Sequence, residues 1–200
     1  MAGKKCEFIK VMTPMFRASF PALDAPKKGP DETGEEKYGV RCLVPKTIEG
    51  KDLELMNALQ AACKKAATDF FGEGNIPKSL KKPIRDGDAE ENVHEKGYWA
   101  FTARSAYKPG VVDAKCRELT DEEIRDQVYP GCWARATILV GVSERAGNKC
   151  VYLVLSNLQK VRDDKPFGNR KKATDDFSPV SYTEAGEDFK GEDDDDSGEY

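Results

Sequence analysis

The chain has 200 residues, with 32 Lys and Arg against 36 Asp and Glu, which gives a formal net charge of −4. Its six cysteines lie far apart with no C-x-x-C pair, and His94 is the single histidine, so the composition argues against a zinc site. Residues 1–5 are followed by no apolar segment, and no run of about eighteen apolar residues occurs. We expect a cytoplasmic protein with reduced thiols, no membrane partner, no metal and no cofactor.

The modest net charge hides two halves of opposite sign. Residues 173–200 contain eleven acids and one base, a charge of −10, which leaves +6 for residues 1–172. The acidic segment has little apolar surface to bury, so we expect a disordered tail over 173–200 behind a domain spanning 1–172. A basic body with an acidic tail favours nucleic-acid binding, although a charged tail can also act for solubility alone.

The chain begins with a β-rich segment. Residues 6–20 are rich in β-formers and interrupted by a proline, which predicts two strand pieces. In this pattern Phe16, Ala18 and Phe20 share one face, and Arg17 lies on the other.

The next segments predict a loop, a strand and a helix. Residues 21–35 are rich in turn formers, and residues 37–45 alternate as a strand with Lys37 and Arg41 on its less apolar face. From 51 to 71 apolar residues recur at steps of three and four, which predicts an amphipathic helix whose stripe packs on the core.

Residues 72–96 form a long loop, basic in its first half and acidic in its second. Loops of this length inside a domain are usually functional or disordered. Asp86 and Asp88 could supply oxygens to a metal, but two carboxylates around a glycine are more often turn chemistry.

The second half of the body is dominated by β-structure. Residues 97–105 alternate as a strand, and Thr120 begins a helix signature that leads to a short helix over 121–127. Residues 131–142 and 149–161 are two long β-runs joined as a hairpin. Five or six strands with one main helix between them predict a mostly β protein, a small β-barrel.

Enzyme motifs are absent from the sequence, but rings and bases alternate along its strands. Single-stranded nucleic acid needs cations for its phosphates and aromatic faces for its bases. Trp133 is more readily explained as a core residue, and Tyr98 and Tyr107 fit either role. The candidate nucleic-acid-binding residues are Arg17, Lys37, Arg41, Tyr98, Arg104, Tyr107, Lys108, Trp133 and Arg135.

Five segments in order resemble a family of tailed-bacteriophage single-stranded DNA-binding proteins over roughly residues 5–170. They are Pro83–Asp88, Gly97–Ser105, Lys108–Asp113, Tyr129–Ala136 and Asn157–Val161. The resemblance implies an OB-fold, binding of single-stranded DNA without sequence preference, and a role in phage DNA replication, recombination and repair. Proteins of this class commonly end in an acidic stretch closed by an aromatic residue.

We expect the tail to compete with DNA for the basic body, because a tethered peptide acts at an effective concentration on the order of millimolar. The released tail is then expected to dock on replication proteins such as a polymerase, helicase or primase. Its candidate partner-binding residues are Asp193, Asp194, Asp195, Asp196, Glu199 and Tyr200.

Two rival functions remain open at this point. One is a non-enzymatic phage structural or assembly protein that does not bind DNA. The other is a metal-dependent nuclease that uses Asp86 and Asp88. The sequence also leaves open whether the chain forms a homo-oligomer.

Overall fold

The computed structural model describes residues 7–29, 34–89, 93–145 and 147–167. The chain divides into two units, Met1–Phe167 and Gly168–Tyr200, and all described residues belong to the first. The predicted tail at 173–200, with its candidate partner-binding residues, lies outside the described residues. The predicted domain boundary at residue 172 also lies there and stays a prediction.

The described chain contains eight strands and two α-helices, together with two 3-10 turns at Gly87–Ala89 and Val93–Glu95. None of its helices is long and apolar enough to cross a membrane. In chain order the elements are β1 Ile9–Met12, β2 Phe16–Lys27, β3 Lys37–Pro45, α1 Gly50–Phe71, β4 Arg85–Asp86, β5 Tyr98–Ser105, β6 Gly110–Val112, α2 Asp121–Gln127, β7 Trp133–Arg145 and β8 Asn148–Arg162.

Five of the strands close into a barrel. The hydrogen-bonded order runs β7, β2, β3, β5, β8, and β8 pairs again with β7. Neighbours are antiparallel except β5 and β8, which run parallel and meet at Ala103 and Leu153. A closed five-stranded barrel with one parallel contact of this kind is the OB-fold architecture, so the predicted β-barrel and OB-fold are confirmed.

The barrel interior is filled by alternate residues of these strands. Phe16, Val40, Phe101, Ile138 and Leu153 are all buried. Their sequence neighbours point outward, because successive side chains of a strand face opposite sides. The apolar alternation that predicted the strands therefore also indicates which residues lie on the outer face of the barrel.

Both helices form where the sequence predicts them. Along α1 the residues at the predicted apolar spacing, including Met56 and Leu59, are buried against the barrel. At the start of α2 the Thr120 hydroxyl accepts from the Glu123 amide, and the Glu123 carboxylate accepts from the Thr120 amide. This reciprocal capping box satisfies amides that the first turn leaves without partners.

Two predictions for β2 are wrong. The strand continues to Lys27, although residues 21–35 predicted only turns. Phe20 does not share the buried face of Ala18, because the register between β2 and β3 shifts between Ser19 and Ala22. At this bulge Phe20 has φ 45° and its side chain is 71% exposed. A bulge also tolerates the proline that follows, which cannot donate to the ladder.

Candidate nucleic-acid interface

Two adjoining hollows of about 760 and 670 Å³ lie on the outer face of β3 and β5, and we call them together the basic groove. Lys37, Arg41 and Arg104 line both hollows. Among the described residues, nine bases and one acid, Glu95, line the groove, so it attracts anions. The bases are Lys27, Lys28, Lys37, Arg41, Lys81, Lys82, Arg85, Arg104 and Arg145.

Arg104 reaches across β3 to the end of β2. Its pairing partner on β3 is Gly39, where a Cβ would lie 2.8 Å from the Ala103 carbonyl oxygen and 3.0 Å from Arg104 Cγ. Only glycine leaves room for the long side chain at this point. The guanidinium then donates from Nη2 to the Lys27 carbonyl oxygen at 3.1 Å. Because that acceptor is neutral, this bond brings no counter-charge to the guanidinium in the groove.

Lys81 belongs to the long loop after α1, yet its backbone is held firmly against β8. Its amide donates to the Lys149 carbonyl oxygen at 2.9 Å, and its own carbonyl accepts from the Val151 amide at 3.0 Å. These two bonds fix the loop along the edge of β8. The basic half of the loop, with Lys81, Lys82 and Arg85, therefore lines the groove as an ordered wall.

Like charges face each other at the rim of the groove. Lys27 on β2 stands directly opposite Lys37 on β3. Such pairs destabilise a sheet unless a counter-charge is present. Lys37 Nζ lies 3.7 Å from a carboxylate oxygen of the exposed Glu35, and an exposed ion pair of this kind offsets little of the repulsion. This arrangement fits a surface that takes its counter-charge from a bound polyanion.

Exposed aromatic rings accompany these bases. Tyr107, which is 84% exposed, lines the first hollow, and Phe20 lines the second. Phe8 and Tyr152 also line the first hollow and meet edge to face, with ring centroids 6.2 Å apart. Exposed rings beside cations supply stacking surfaces for bases, and stacking is worth about 1–3 kcal/mol per base.

The acid of the groove is tied to an arginine in its floor. Arg41 Nε donates to Glu95 Oε1 at 2.6 Å, and Nη2 donates to Oε2 of the same carboxylate. Arg41 Nη1 also lies 3.4 Å from the Thr102 hydroxyl. The pair is bidentate, which is the strongest geometry available to these two groups.

Comparison with known proteins decides the family. Residues 9–190 match the family of the single-stranded DNA-binding protein of Enterobacter phage Enc34. The chain belongs to this Enc34 family. The predicted resemblance to phage single-stranded DNA-binding proteins is thereby confirmed. A comparison with curated proteins found no match.

Solved structures agree with the Enc34 family. The single-stranded DNA-binding protein from bacteriophage Enc34 in complex with ssDNA is 27% identical, covers 84% of this chain and 97% of its own length, and has a TM-score of 0.68. A C-terminal truncation of the Enc34 protein is 26% identical, covers 83% and 95%, and has a TM-score of 0.64. The gp2.5 single-stranded DNA binding protein of bacteriophage T7 is 13% identical, covers 88% and 98%, and with a TM-score of 0.58 shows the shared fold.

In this member of the Enc34 family, four of the nine predicted nucleic-acid-binding residues come together in the basic groove: Lys37, Arg41, Arg104 and Tyr107. Tyr98 is half-buried opposite Pro45 and does not line it. Lys108 forms an ion pair with Asp121, and the hydrogen bond to that carboxylate raises the pKa of the lysine.

Arg17 and Trp133 lie together in a different cluster. Arg17 Nε donates to the Gly131 carbonyl oxygen at 2.6 Å, and its guanidinium lies 5.6 Å from the Trp133 ring and 4.7 Å from the Phe167 ring. The Trp133 indole donates to Asp164 Oδ2 at 2.6 Å, and this bond is the main reason why the pKa of Asp164 is lowered. The cluster fastens the segment after β8 to the barrel.

Arg135 lies on the outer face of β7, away from the basic groove. Its Nε donates to Gln159 Oε1 at 2.7 Å. Both residues line a separate hollow of about 220 Å³ between β6, β7 and β8.

The carboxylates of Asp86 and Asp88 make ion pairs and hydrogen bonds to backbone amides. Both carboxylates pair with the Lys46 ammonium, and the pKa of each is lowered, mainly by that hydrogen bond. Asp86 also accepts from the Asp88 amide at 2.9 Å, and Asp88 accepts from the Gly97 amide at 2.6 Å. Within the described ranges no cluster of three or more His, Cys, Asp or Glu is placed to hold a metal ion.

Several residues of the groove were missed by the sequence interpretation. Phe20 was placed on the same face as Phe16 and Ala18, because strict alternation puts it there. The available signal was Pro21, which often marks a bulge or a strand edge. Lys81, Lys82 and Arg85 were noticed only as the basic half of a loop, since nothing in the sequence indicates that this loop folds against β8.

Proposed function

We propose that this chain binds single-stranded DNA without sequence preference and acts in phage DNA replication, recombination and repair. The observation that carries the proposal is the basic groove over β3 and β5, which nine bases, one acid and exposed rings line among the described residues. OB-folds bind oligonucleotides on the face formed by their second and third barrel strands, and β3 and β5 hold those places here. Membership of the Enc34 family supports the same conclusion.

The division of work in the groove follows from its chemistry. Lys37, Arg104, Lys81 and Lys82 contact phosphates, because their charges line the hollows. Tyr107, joined by Phe20, stacks on bases. Every base has a flat aromatic face, so stacking and phosphate contacts together bind any sequence.

The acidic tail is proposed to compete with DNA for the groove. Residues 173–200 carry −10 and are joined to a body that carries +6. A tail displaced by DNA is then free for replication proteins such as a polymerase, helicase or primase. Asp193, Asp194, Asp195, Asp196 and Glu199 supply charge, and Tyr200 supplies a terminal ring and carboxylate.

The proposed activity is binding alone, with no catalytic step, cofactor or metal, and it belongs in the cytoplasm of the infected host. Asp86 and Asp88, the candidate carboxylates for a nuclease, are both paired with Lys46. This pairing favours a structural role for them. A phage structural or assembly protein remains the main alternative function.

The test is salt-titrated binding of a fluorescent oligo-dT, with a duplex of equal length as control. We expect tight binding of the single strand at about 50 mM salt, weaker binding of the duplex, and a fall in log K of about 0.7 per log unit of salt for each phosphate contacted. No binding at low salt contradicts the proposal and favours the assembly function. Degradation of the oligonucleotide with magnesium or manganese favours a nuclease.

A further inference from the structure

Arg41 uses one edge of its guanidinium for an ion pair inside the groove. Nε and Nη2, the two donors that usually grip a phosphate side by side, both donate to Glu95. The Glu95 side chain is 4% exposed and that of Arg41 is 21% exposed. This edge of the guanidinium is thus closed to DNA by a buried carboxylate.

The carboxylate is held in place by the backbone behind it. Glu95 ends the 3-10 turn Val93–Glu95, which lies directly against Gly87. A Cβ on Gly87 would lie 2.0 Å from the Glu95 carbonyl oxygen and 2.7 Å from the Tyr98 carbonyl oxygen. Only glycine permits this contact, so the position of Glu95 is set by main-chain packing and not by the ion pair alone.

This pairing changes what Arg41 offers to a ligand. The nearby negative charge cancels most of its field, so Arg41 contributes little attraction for a phosphate. The bidentate contact also holds the guanidinium plane in one orientation. What remains for a ligand is the second N–H of Nη2, the Nη1 group near Thr102, and the flat face of the guanidinium. Guanidinium planes stack on nucleic-acid bases, and a fixed plane loses less entropy on binding.

We propose that Arg41 is a base-stacking surface of the groove and that Glu95 is the positioning residue that holds its plane. This inference rests on the proposed single-stranded DNA binding. Arg104 is the contrasting residue, because Arg104 donates to a neutral backbone carbonyl and not to a carboxylate, and it serves as a phosphate contact. Arg41 and Arg104 therefore have different roles in the same groove.

Paired Arg-to-Lys substitutions separate the two roles. Lysine keeps the charge and can still pair with Glu95, but it has no planar face. Each variant is titrated with a fluorescent oligo-dT and with an abasic oligonucleotide of equal length, which has the phosphates and lacks the bases. Unchanged circular dichroism shows that the variants are folded.

We expect Arg41→Lys to weaken oligo-dT binding about tenfold, with the salt slope unchanged and abasic binding altered less than twofold. Arg104→Lys should change both ligands equally. Equal losses on both ligands for Arg41→Lys, or no loss on either, overturn the stacking role. Failure of the unmodified protein to bind oligo-dT contradicts the proposed function itself and is seen before any variant is compared.

Glu95→Gln provides a second test that does not alter Arg41. The substitution removes the one acid from a polyanion-binding groove, so simple electrostatics predicts tighter binding. If Glu95 acts by holding the guanidinium plane, oligo-dT binding becomes several-fold weaker while abasic binding does not weaken. Tighter binding of both oligonucleotides means that Glu95 only masks a cation, and it overturns the positioning role. If Arg41→Lys fails to fold, the ratio of oligo-dT affinity to abasic affinity in Glu95→Gln, compared with the unmodified protein, decides the question.

Discussion

Ala18 and Phe20 stand two residues apart on β2, yet Ala18 is fully buried and Phe20 is 71% exposed. The bulge between Ser19 and Ala22 separates them and turns the Phe20 ring towards the basic groove. With φ 45°, Phe20 adopts a backbone conformation that costs a side-chain-bearing residue free energy. Strain of this kind is common at functional sites.

Replacing Phe20 by Gly and by Ala separates the ring from the strain. Both variants lose the stacking surface, so we expect both to bind oligo-dT roughly five- to fifty-fold more weakly. Glycine relieves the positive φ, so Phe20→Gly should be about 1 kcal/mol more stable than Phe20→Ala by chemical denaturation. Full binding by either variant contradicts the role of the ring, and equal stability contradicts the strain.

The wall formed by the loop after α1 predicts a salt effect. Lys81→Gln with Lys82→Gln removes two phosphate contacts, so the slope of log K against log salt should become shallower by about 1.4. The control is Lys51→Gln with Lys64→Gln on α1, which changes the net charge equally but does not touch the groove. Equal changes in the two double variants would mean that only overall charge matters.

The cluster around Trp133 is expected to affect stability and not binding. Trp133→Phe keeps a ring between Arg17 and Arg162 but loses the hydrogen bond to Asp164. We expect the thermal midpoint to fall by about 2–4 °C and oligo-dT affinity to stay within twofold of the unmodified protein. A loss of oligo-dT affinity without a loss of stability would show that Trp133 takes part in DNA binding.

The Lys46 ion pairs predict an acid-dependent contribution to stability. The pKa values of Asp86 and Asp88 are lowered in the folded protein, mainly by hydrogen bonds from Lys46. Their contribution is therefore present above the ordinary value of 3.8 and is lost as the pH falls through the lower folded values. Lys46→Gln should be less stable than the unmodified protein near neutral pH, and the difference should shrink below about pH 4. Denaturant unfolding across pH measures this, and a difference independent of pH would argue against the pairing.

Removal of residues 173–200 tests the tail. We expect the truncated body to bind oligo-dT more tightly at low salt, because the competing acids are gone. Replacing Tyr200 alone by Ala should leave DNA binding unchanged and weaken binding to a replication protein. Unchanged or weaker DNA binding by the truncated body would reject the competition between tail and DNA.

The barrel could be predicted from sequence because its strands alternate strictly and its hairpin is long. Lys37, Arg41 and Arg104 were assigned to the binding face for the same reason, since the alternation of side chains along β3 and β5 places them outward. This alternation fails at Phe20, because the bulge in β2 turns its side chain to the opposite face of the strand. It also cannot tell outward positions on β3 from outward positions on β7, so Arg135 was grouped with residues from another side of the barrel.

Lys81 shows a second limit of sequence patterns. Its place beside β8 depends on two main-chain hydrogen bonds made across the fold, and such bonds leave no trace in residue type. The partner of Arg41 was missed for a similar reason. Glu95 is one of several acids in its loop, and only the close approach of Gly87 singles it out.

The joint between β5 and β8 has one registered pair, Ala103 with Leu153, whereas β7 and β8 pair along almost their whole length. The basic groove crosses this joint, because Thr102 and Arg104 of β5 line it on one side and Tyr152 and Val154 of β8 line it on the other. A DNA strand bound in the groove would therefore contact both sides of this sparsely paired joint. We therefore expect bound DNA to stabilise the closed barrel, measured as slower amide hydrogen exchange along β5 and β8 when DNA is present.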